Sequence, residues 1–128
     1  MLVNLSNHPS EKWSLQQSEA AKLYGSVVNL PFPAIDPEAE THEIDFLAES
    51  YEIKVRQLLS VETSGLQAVH IMGELTFCFA LVVRLQKVGI LCLSSTTNRQ
   101  TTDHSDGYKT TKFGFVRFRE YSRLKLNQ

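Results

Sequence analysis

Two polar segments carry the residue types from which a phosphate-handling site is built. Ser6-Asn7-His8-Pro9-Ser10 follows the apolar run Leu2-Val3-Asn4-Leu5, and Ser94-Ser95-Thr96-Thr97-Asn98-Arg99 follows Ile90-Leu91-Cys92-Leu93. If the two runs are parallel neighbours, hydroxyls, amides, an imidazole and a guanidinium converge where open α/β sheets bind ligands. His8 is the candidate catalytic residue. Placed after a strand and ahead of a helix start, it can hold an anion or move a proton near neutral pH. The competing reading has Asn7 or Ser10 capping the helix while His8 points to water. Ser10 is a cap, a phosphate donor or both, and Trp13 either stacks a base or packs into the core. Asn4 and Ser6 stand out as polar residues in or just beyond a strand that should be buried.

The corresponding turn after the third strand is Gly73-Glu74-Leu75-Thr76. Gly73 permits close approach by a ligand, or a tight turn. Glu74 is a base or amine-binding group, or simply an acid favoured by the helix dipole. In the later segment Ser95, Thr96, Thr97 and Arg99 offer hydroxyl donors and one guanidinium, which suits a phosphodiester; a plain connecting loop is the alternative. Walker, GxGxxG and GxSxG patterns are absent, as are CxxC and HExxH. Those absences argue against nucleotide-triphosphate hydrolysis, ordinary dinucleotide binding and serine-hydrolase chemistry. The sequence calls for no cofactor and no metal. His42 and His104 read as solvent-facing, and His70, in mid-strand, reads as a satisfied core histidine.

The elements that must position these residues follow from periodicity. Leu2 to Leu5 is a strand, and a helix from Pro9 or Ser10 carries Trp13, Ala20, Ala21 and Tyr24 on one face until Gly25 stops it. Val27 to Leu30 is a second strand. A long helix, roughly Thr41 to Leu59, has the stripe Ile44, Leu47, Ala48, Tyr51, Val55 and Leu58, with Phe46 and Ile53 on another face. Ala68 to Met72 is a strand apolar enough for both its faces to be covered. The helix from about Glu74 to Lys87 is apolar nearly all round, which suits a core or an oligomer interface. Ile90 to Leu93 is the fourth strand, Asp106-Gly107 a hairpin turn, and Lys112 to Arg119 a strand with Phe113 and Phe115 on one face and Val116 and Phe118 on the other. The expected fold is α/β: a Rossmann-like, mainly parallel sheet flanked by three helices, with a C-terminal antiparallel β-hairpin, in a single domain spanning residues 1–128.

Bulk properties narrow the function classes. The 128 residues are 42% hydrophobic and 21% charged, with a net charge of −1. That balance argues against sequence-independent binding of duplex nucleic acid. Basic residues gather only near the C-terminus, at Lys109, Lys112, Arg117, Arg119, Arg123 and Lys125, as on a solvated edge strand. Cys78 and Cys92 sit in apolar runs, as buried thiols do. The first residues lack a signal-peptide pattern, and no stretch approaches the roughly 18 apolar residues of a membrane span. A cytoplasmic protein without membrane contact is expected.

Ser6-Asn7-His8-Pro9-Ser10, Gly73-Glu74, Ser94-Ser95-Thr96-Thr97 and Phe115-Val116-Arg117-Phe118-Arg119-Glu120-Tyr121 together resemble small CRISPR-associated accessory proteins with a minimal CRISPR-associated Rossmann (CARF-like) fold. The resemblance spans most of the chain. It implies binding of a cyclic oligoadenylate, the second messenger of type III CRISPR immunity, by a homodimer, with ring-nuclease cleavage as a further expectation. In that scheme the ribose 2′-hydroxyl attacks in line without a metal and leaves a 2′,3′-cyclic phosphate. His8 would serve the leaving group or the phosphate. Ser10, Ser95, Thr96 and Arg99 would position phosphates, and Asn7 a ribose or base. No unambiguous catalytic signature accompanies the resemblance. A non-catalytic sensor or sponge, or an interaction module built on the hairpin, are the alternatives.

Overall fold

Strand pairing places β1 (Leu2–Leu5) at the centre of the parallel part of the sheet, beside both β2 (Val27–Asn29) and β3 (Ala68–Ile71). β3 pairs in parallel with β4 (Leu91–Asp103), and β4 pairs antiparallel with β5 (Lys109–Glu120), so the order is β2-β1-β3-β4-β5. Three helices connect these strands: α1 (Leu15–Ala21), α2 (Thr41–Ser60) and α3 (Leu75–Lys87). The computed structural model describes residues 1–123; Lys125 of the basic group and the last residues of the expected 1–128 domain lie outside them. The fold is α/β with a mixed, mostly parallel sheet. β3 separates β1 from β4, so the condition that the two strands be neighbours is not met.

Side-chain alternation divides the apolar residues between two layers. Val3, Leu5, Val69, Ile71 and Cys92 pack on α2 and α3, against Ala48, Val55, Phe77, Leu81 and Leu85. Leu2, Ala68 and Leu93 pack on the other face with Ala21 of α1, Trp13 and Phe118. The α2 stripe falls as its spacing predicts: Ile44, Ala48, Val55 and Leu59 are buried, while Leu47, Tyr51 and Leu58 pack half-buried beside them. Phe46 and Ile53 remain exposed, as do Leu75 and Phe79 of α3. Cys78 and Cys92 are free and buried, and burial pushes their thiols up to about 11 and about 12, so both are inert at neutral pH.

Three elements depart from the periodicity reading. After β1 the chain makes only a 3-10 turn over Ser10–Lys12, then extends through Trp13 (φ −68°, ψ 150°), and Ser14 caps α1 by accepting from the Gln17 amide. The expected helix start at Pro9 or Ser10 is therefore displaced, and neither Asn7 nor Ser10 caps it. Second, β4 does not stop at Leu93. Its backbone continues to Asp103 because β5 pairs with it throughout, and its threonines are good strand formers. From Thr97 onward the residues are exposed, since the ribbon has passed beyond the helices, and polar composition there disguises a strand as a loop. Asp106-Gly107 does form the turn, with Gly107 at φ 88° and the His104 amide donating to the Tyr108 carbonyl at 2.8 Å.

Third, the pairing slips between Thr96 and Thr97: Thr96 faces Arg117 and Thr97 faces Phe115, leaving Val116 as an extra residue. Such a bulge reverses the alternation beyond it. Phe115 and Phe118, expected on opposite faces, lie with ring centroids 5.1 Å apart.

The start of α3 accounts for Glu74. Its carboxylate accepts from the backbone amides of Thr76 and Phe77 and from the Thr76 hydroxyl, and these bonds, the hydroxyl's foremost, hold it below the usual carboxylate range. It is the cap of the helix, which corrects its assignment as a ligand-binding base. Replacement by alanine should cost about 1 kcal/mol at pH 7. The folded-state pKa is depressed, so this contribution exists above the unfolded carboxylate pKa and fades as pH falls through the folded one. Urea melts of wild type and Glu74→Ala should therefore differ at pH 7 and converge in acid.

Candidate functional site

Register brings three polar residues of buried strands side by side: Asn29 of β2 opposite Asn4 of β1, and Asn4 opposite His70 of β3. All point to the α1 face, like Leu2 and Ala68 in the same alternation. The Asn4 amide nitrogen donates to the His8 carbonyl at 2.8 Å and to Asn29 Oδ1 at 2.9 Å. Its oxygen accepts from Ser6 Oγ and lies 2.9 Å from His70 Nδ1. Asn29 in turn accepts the Ser10 amide and donates to Glu11 at 2.8 Å, which ties the 3-10 turn to the sheet. Ser6 Oγ also receives the His8 amide, so the Ser6–Ser10 loop is fastened at both ends.

This network fixes the state of His70. A backbone carbonyl can only accept, so the Asn4 atom beside the His8 carbonyl is the amide nitrogen. The other terminal atom is the oxygen, and His70 Nδ1 must carry the hydrogen that faces it. Nε2 is then a bare acceptor, and among the described residues it has no hydrogen-bond partner. His70 is 2% exposed, and burial lowers its pKa to about 4, so the ring is neutral at physiological pH. Trp13 and Phe118 meet it edge-on, with centroids 5.6 Å and 5.5 Å away. The expectation of a satisfied core histidine holds for one nitrogen only.

Above this floor opens a cleft of about 730 Å³. It lies outside the carboxyl ends of β1 and β3, where the strand order reverses, the location that open α/β sheets use for ligands. Ser6, Asn7, His8, Trp13, His70, Gly73, Ser95 and Thr97 line it, with Lys12 and the ribbon residues Phe113 and Phe115 closing its sides. Among the described residues no carboxylate lines it. A larger groove of about 840 Å³ lies between α2 and α3, with Ile44, Leu75, Phe79 and Val83 in its wall. The charged groups of that groove, Asp45, Glu52, Arg84 and Lys87, include the ion pair Arg84–Glu52 at 3.6 Å, whereas the smaller cleft lies at the carboxyl ends of β1 and β3 and is the candidate site.

The expected site residues divide accordingly. Asn7, His8, Trp13, Gly73, Ser95 and Thr97 reach the cleft even though β3 intervenes between β1 and β4. The His8 ring is exposed; its backbone carbonyl is the anchored part, accepting from Asn4, Ser6 and Trp13 Nε1. Ser10 does not line the cleft, because its amide is drawn to Asn29. Thr96 faces away by strand alternation, its hydroxyl bonded to the Arg117 backbone at 3.2 Å. Arg99 is exposed farther along the ribbon, outside the cleft lining. The helix amides expected beneath His8 are replaced by a 3-10 turn too short to present an anion seat. Gly73 is explained by packing, since a Cβ there would come within 2.3 Å of the Phe32 ring. Sequence reasoning missed His70 and Lys12 as site residues. Polar Asn4 and Ser6 at a buried strand were the available signal for the network around His70.

The chain belongs to the family described as the uncharacterized protein MJ1673 family, whose model matches residues 1–119. No curated protein and no solved structure matches the chain.

The depressed His70 pKa predicts a pH dependence. Below about pH 6.5 an unfolded histidine binds a proton that the folded ring refuses, so stability falls between pH 6.5 and about 4 and levels off below that. The loss from this one group is of order 3 kcal/mol. Denaturant melts across that range should show the slope for wild type, and subtracting the His70→Phe profile should isolate it.

Proposed function

We propose that the cleft binds a cyclic oligoadenylate and opens its ring through the ligand's own 2′-hydroxyl. The observation that carries this reading is the composition of the cleft at the reversal of strand order. Among the described residues, hydroxyls, two imidazoles, one lysine and aromatic faces line it, without a carboxylate. Phosphodiesters carry one charge each and need hydrogen bonds more than clustered cations. Trp13, Phe113 and Phe115 offer stacking surfaces for bases. The identity of the ring rests on the family resemblance, as does the reading of the fold as Rossmann-like, which the order of the parallel strands supports.

In the reaction the 2′-oxygen bonds to phosphorus and the bond from phosphorus to the 5′-oxygen breaks. The 5′-oxygen takes a proton from His8, and the 2′-hydroxyl proton passes to solvent. Products are a 2′,3′-cyclic phosphate end and a free 5′-hydroxyl. Lys12, Ser95 and Thr97 stabilise charge on the phosphoryl oxygens. A homodimer that shares one ring must join on the cleft side, where the β4–β5 ribbon stands. A contact through the exposed Leu75 and Phe79 of α3 would keep the two clefts apart, because α3 covers the opposite face.

Incubation with cyclic tetra- or hexa-adenylate followed by chromatography tests the reading. Linear products with a 2′,3′-cyclic phosphate are expected, and His8→Ala should slow their formation by about 100-fold or more while the ring stays bound. Recovery of intact ring from the complex would make the protein a sensor or sponge. Failure to retain any ring would favour an interaction module built on the ribbon.

A further inference from the structure

We propose that His70 Nε2 is the acceptor for a ribose 2′-hydroxyl and makes the cleft selective for ribonucleotides over deoxyribonucleotides. The inference rests on the nucleotide reading of the cleft and adds to it a residue and a specificity. His70 lines the cleft and is 98% withdrawn from solvent; its Nε2 has no partner among the described residues, while Nδ1 is committed to Asn4 Oδ1 at 2.9 Å. A buried acceptor left empty costs about 1–3 kcal/mol, so a ligand donor that reaches it recovers a sizeable share of that penalty.

The form of the site selects the donor. Because the Asn4 amide fixes the tautomer, Nε2 cannot donate, and a phosphate oxygen or a ring nitrogen of a base finds no hydrogen there. Trp13 and Phe118 flank the imidazole edge-on and Nε2 is closed to solvent, so a ligand group reaches it only where one of these rings shifts, a smaller displacement for a projecting hydroxyl than for the flat edge of a base. A 2′-hydroxyl projects from its sugar and carries one hydrogen. Ser95 and Thr97 stand on the same wall of the cleft for the adjoining phosphate, and the Ser95 hydroxyl is engaged only by the weak acceptor Met72 Sδ.

The test compares the affinity of cyclic tetra-adenylate with that of its all-2′-deoxy analogue, which cannot undergo ring opening. Wild type should prefer the ribo ring by about tenfold or more. In His70→Phe the ribo ring should weaken to the level of the deoxy ring, whose own affinity stays unchanged. Equal wild-type affinities, or a preference that survives in His70→Phe, would overturn the assignment while leaving the cleft a nucleotide site. Binding of neither ring would sink the nucleotide reading itself, and the assignment with it. Nitrogen-15 spectra of wild type give a readout independent of how the variant folds. Nε2 should appear unprotonated in the free protein and shift towards a hydrogen-bonded position with the ribo ring but not the deoxy ring. The same shift with both rings would also overturn the assignment.

Discussion

One side-chain amide holds the functional half of this molecule together. Asn4 sits in β1, an interior strand flanked by β2 and β3; it is 1% exposed, and each hydrogen-bonding position of its side chain is occupied. Two donations reach sideways to β2 and forward to the loop after β1, and the oxygen reaches to β3 and Ser6. A polar group in such a place is tolerated only because it is fully paired, and each pairing places something else. Asn29 is fixed and holds the turn at Ser10. The His8 carbonyl is fixed and holds the loop that borders the cleft. His70 is fixed in one tautomer. The strand register that packs Val3 and Leu5 into the core is thus the same register that assembles the site.

The two faces of the sheet are covered unequally, and the cleft is a consequence. α2 and α3 seal one face with a contiguous apolar core. The other has the seven residues of α1 and the rings of Trp13, Tyr24 and Phe118, leaving the ends of β1 and β3 open above His70. The bulge at Val116 completes the arrangement. By reversing the alternation in β5 it sets Phe118 over His70 and Phe115 on the cleft wall, whereas a regular strand would have sent one of them to the far side.

Where a single physical signal dominated, the sequence was readable. The α2 stripe, the apolar strands β1 and β3, the Asp106-Gly107 turn and the buried cysteines follow from periodicity, burial and turn chemistry alone. What failed depended on partners distant in the chain. Ser94 to Asp103 is polar on both sides, and only the pairing with β5 makes it a strand. Pro9 and Ser10 resemble a helix start, but Asn29 claims the Ser10 amide and Trp13 extends to reach its packing site against His70 and Phe118. Residues at the ends of β1 and β3 were therefore placed well, since a cleft at strand ends needs only the strands. Thr96 and Arg99 were misplaced because a strand shows alternate residues to opposite sides and then carries them beyond the cleft.

The charge balance of the cleft constrains its ligand more tightly than its shape does. A triphosphate concentrates several charges in one place and is met by a lysine, a bound cation and a nest of backbone amides. The loop after β1 presents no such nest: the His8 amide is spent on Ser6 Oγ and the Ser10 amide on Asn29. Among the described residues Lys12 is the only lysine on the cleft wall, and no arginine joins it. A neutral histidine at the floor adds a lone pair, which repels an anion and attracts a hydroxyl. These groups are the grounds for the proposed ligand, whose charge is spread over separate phosphodiesters and whose sugars offer donors between them.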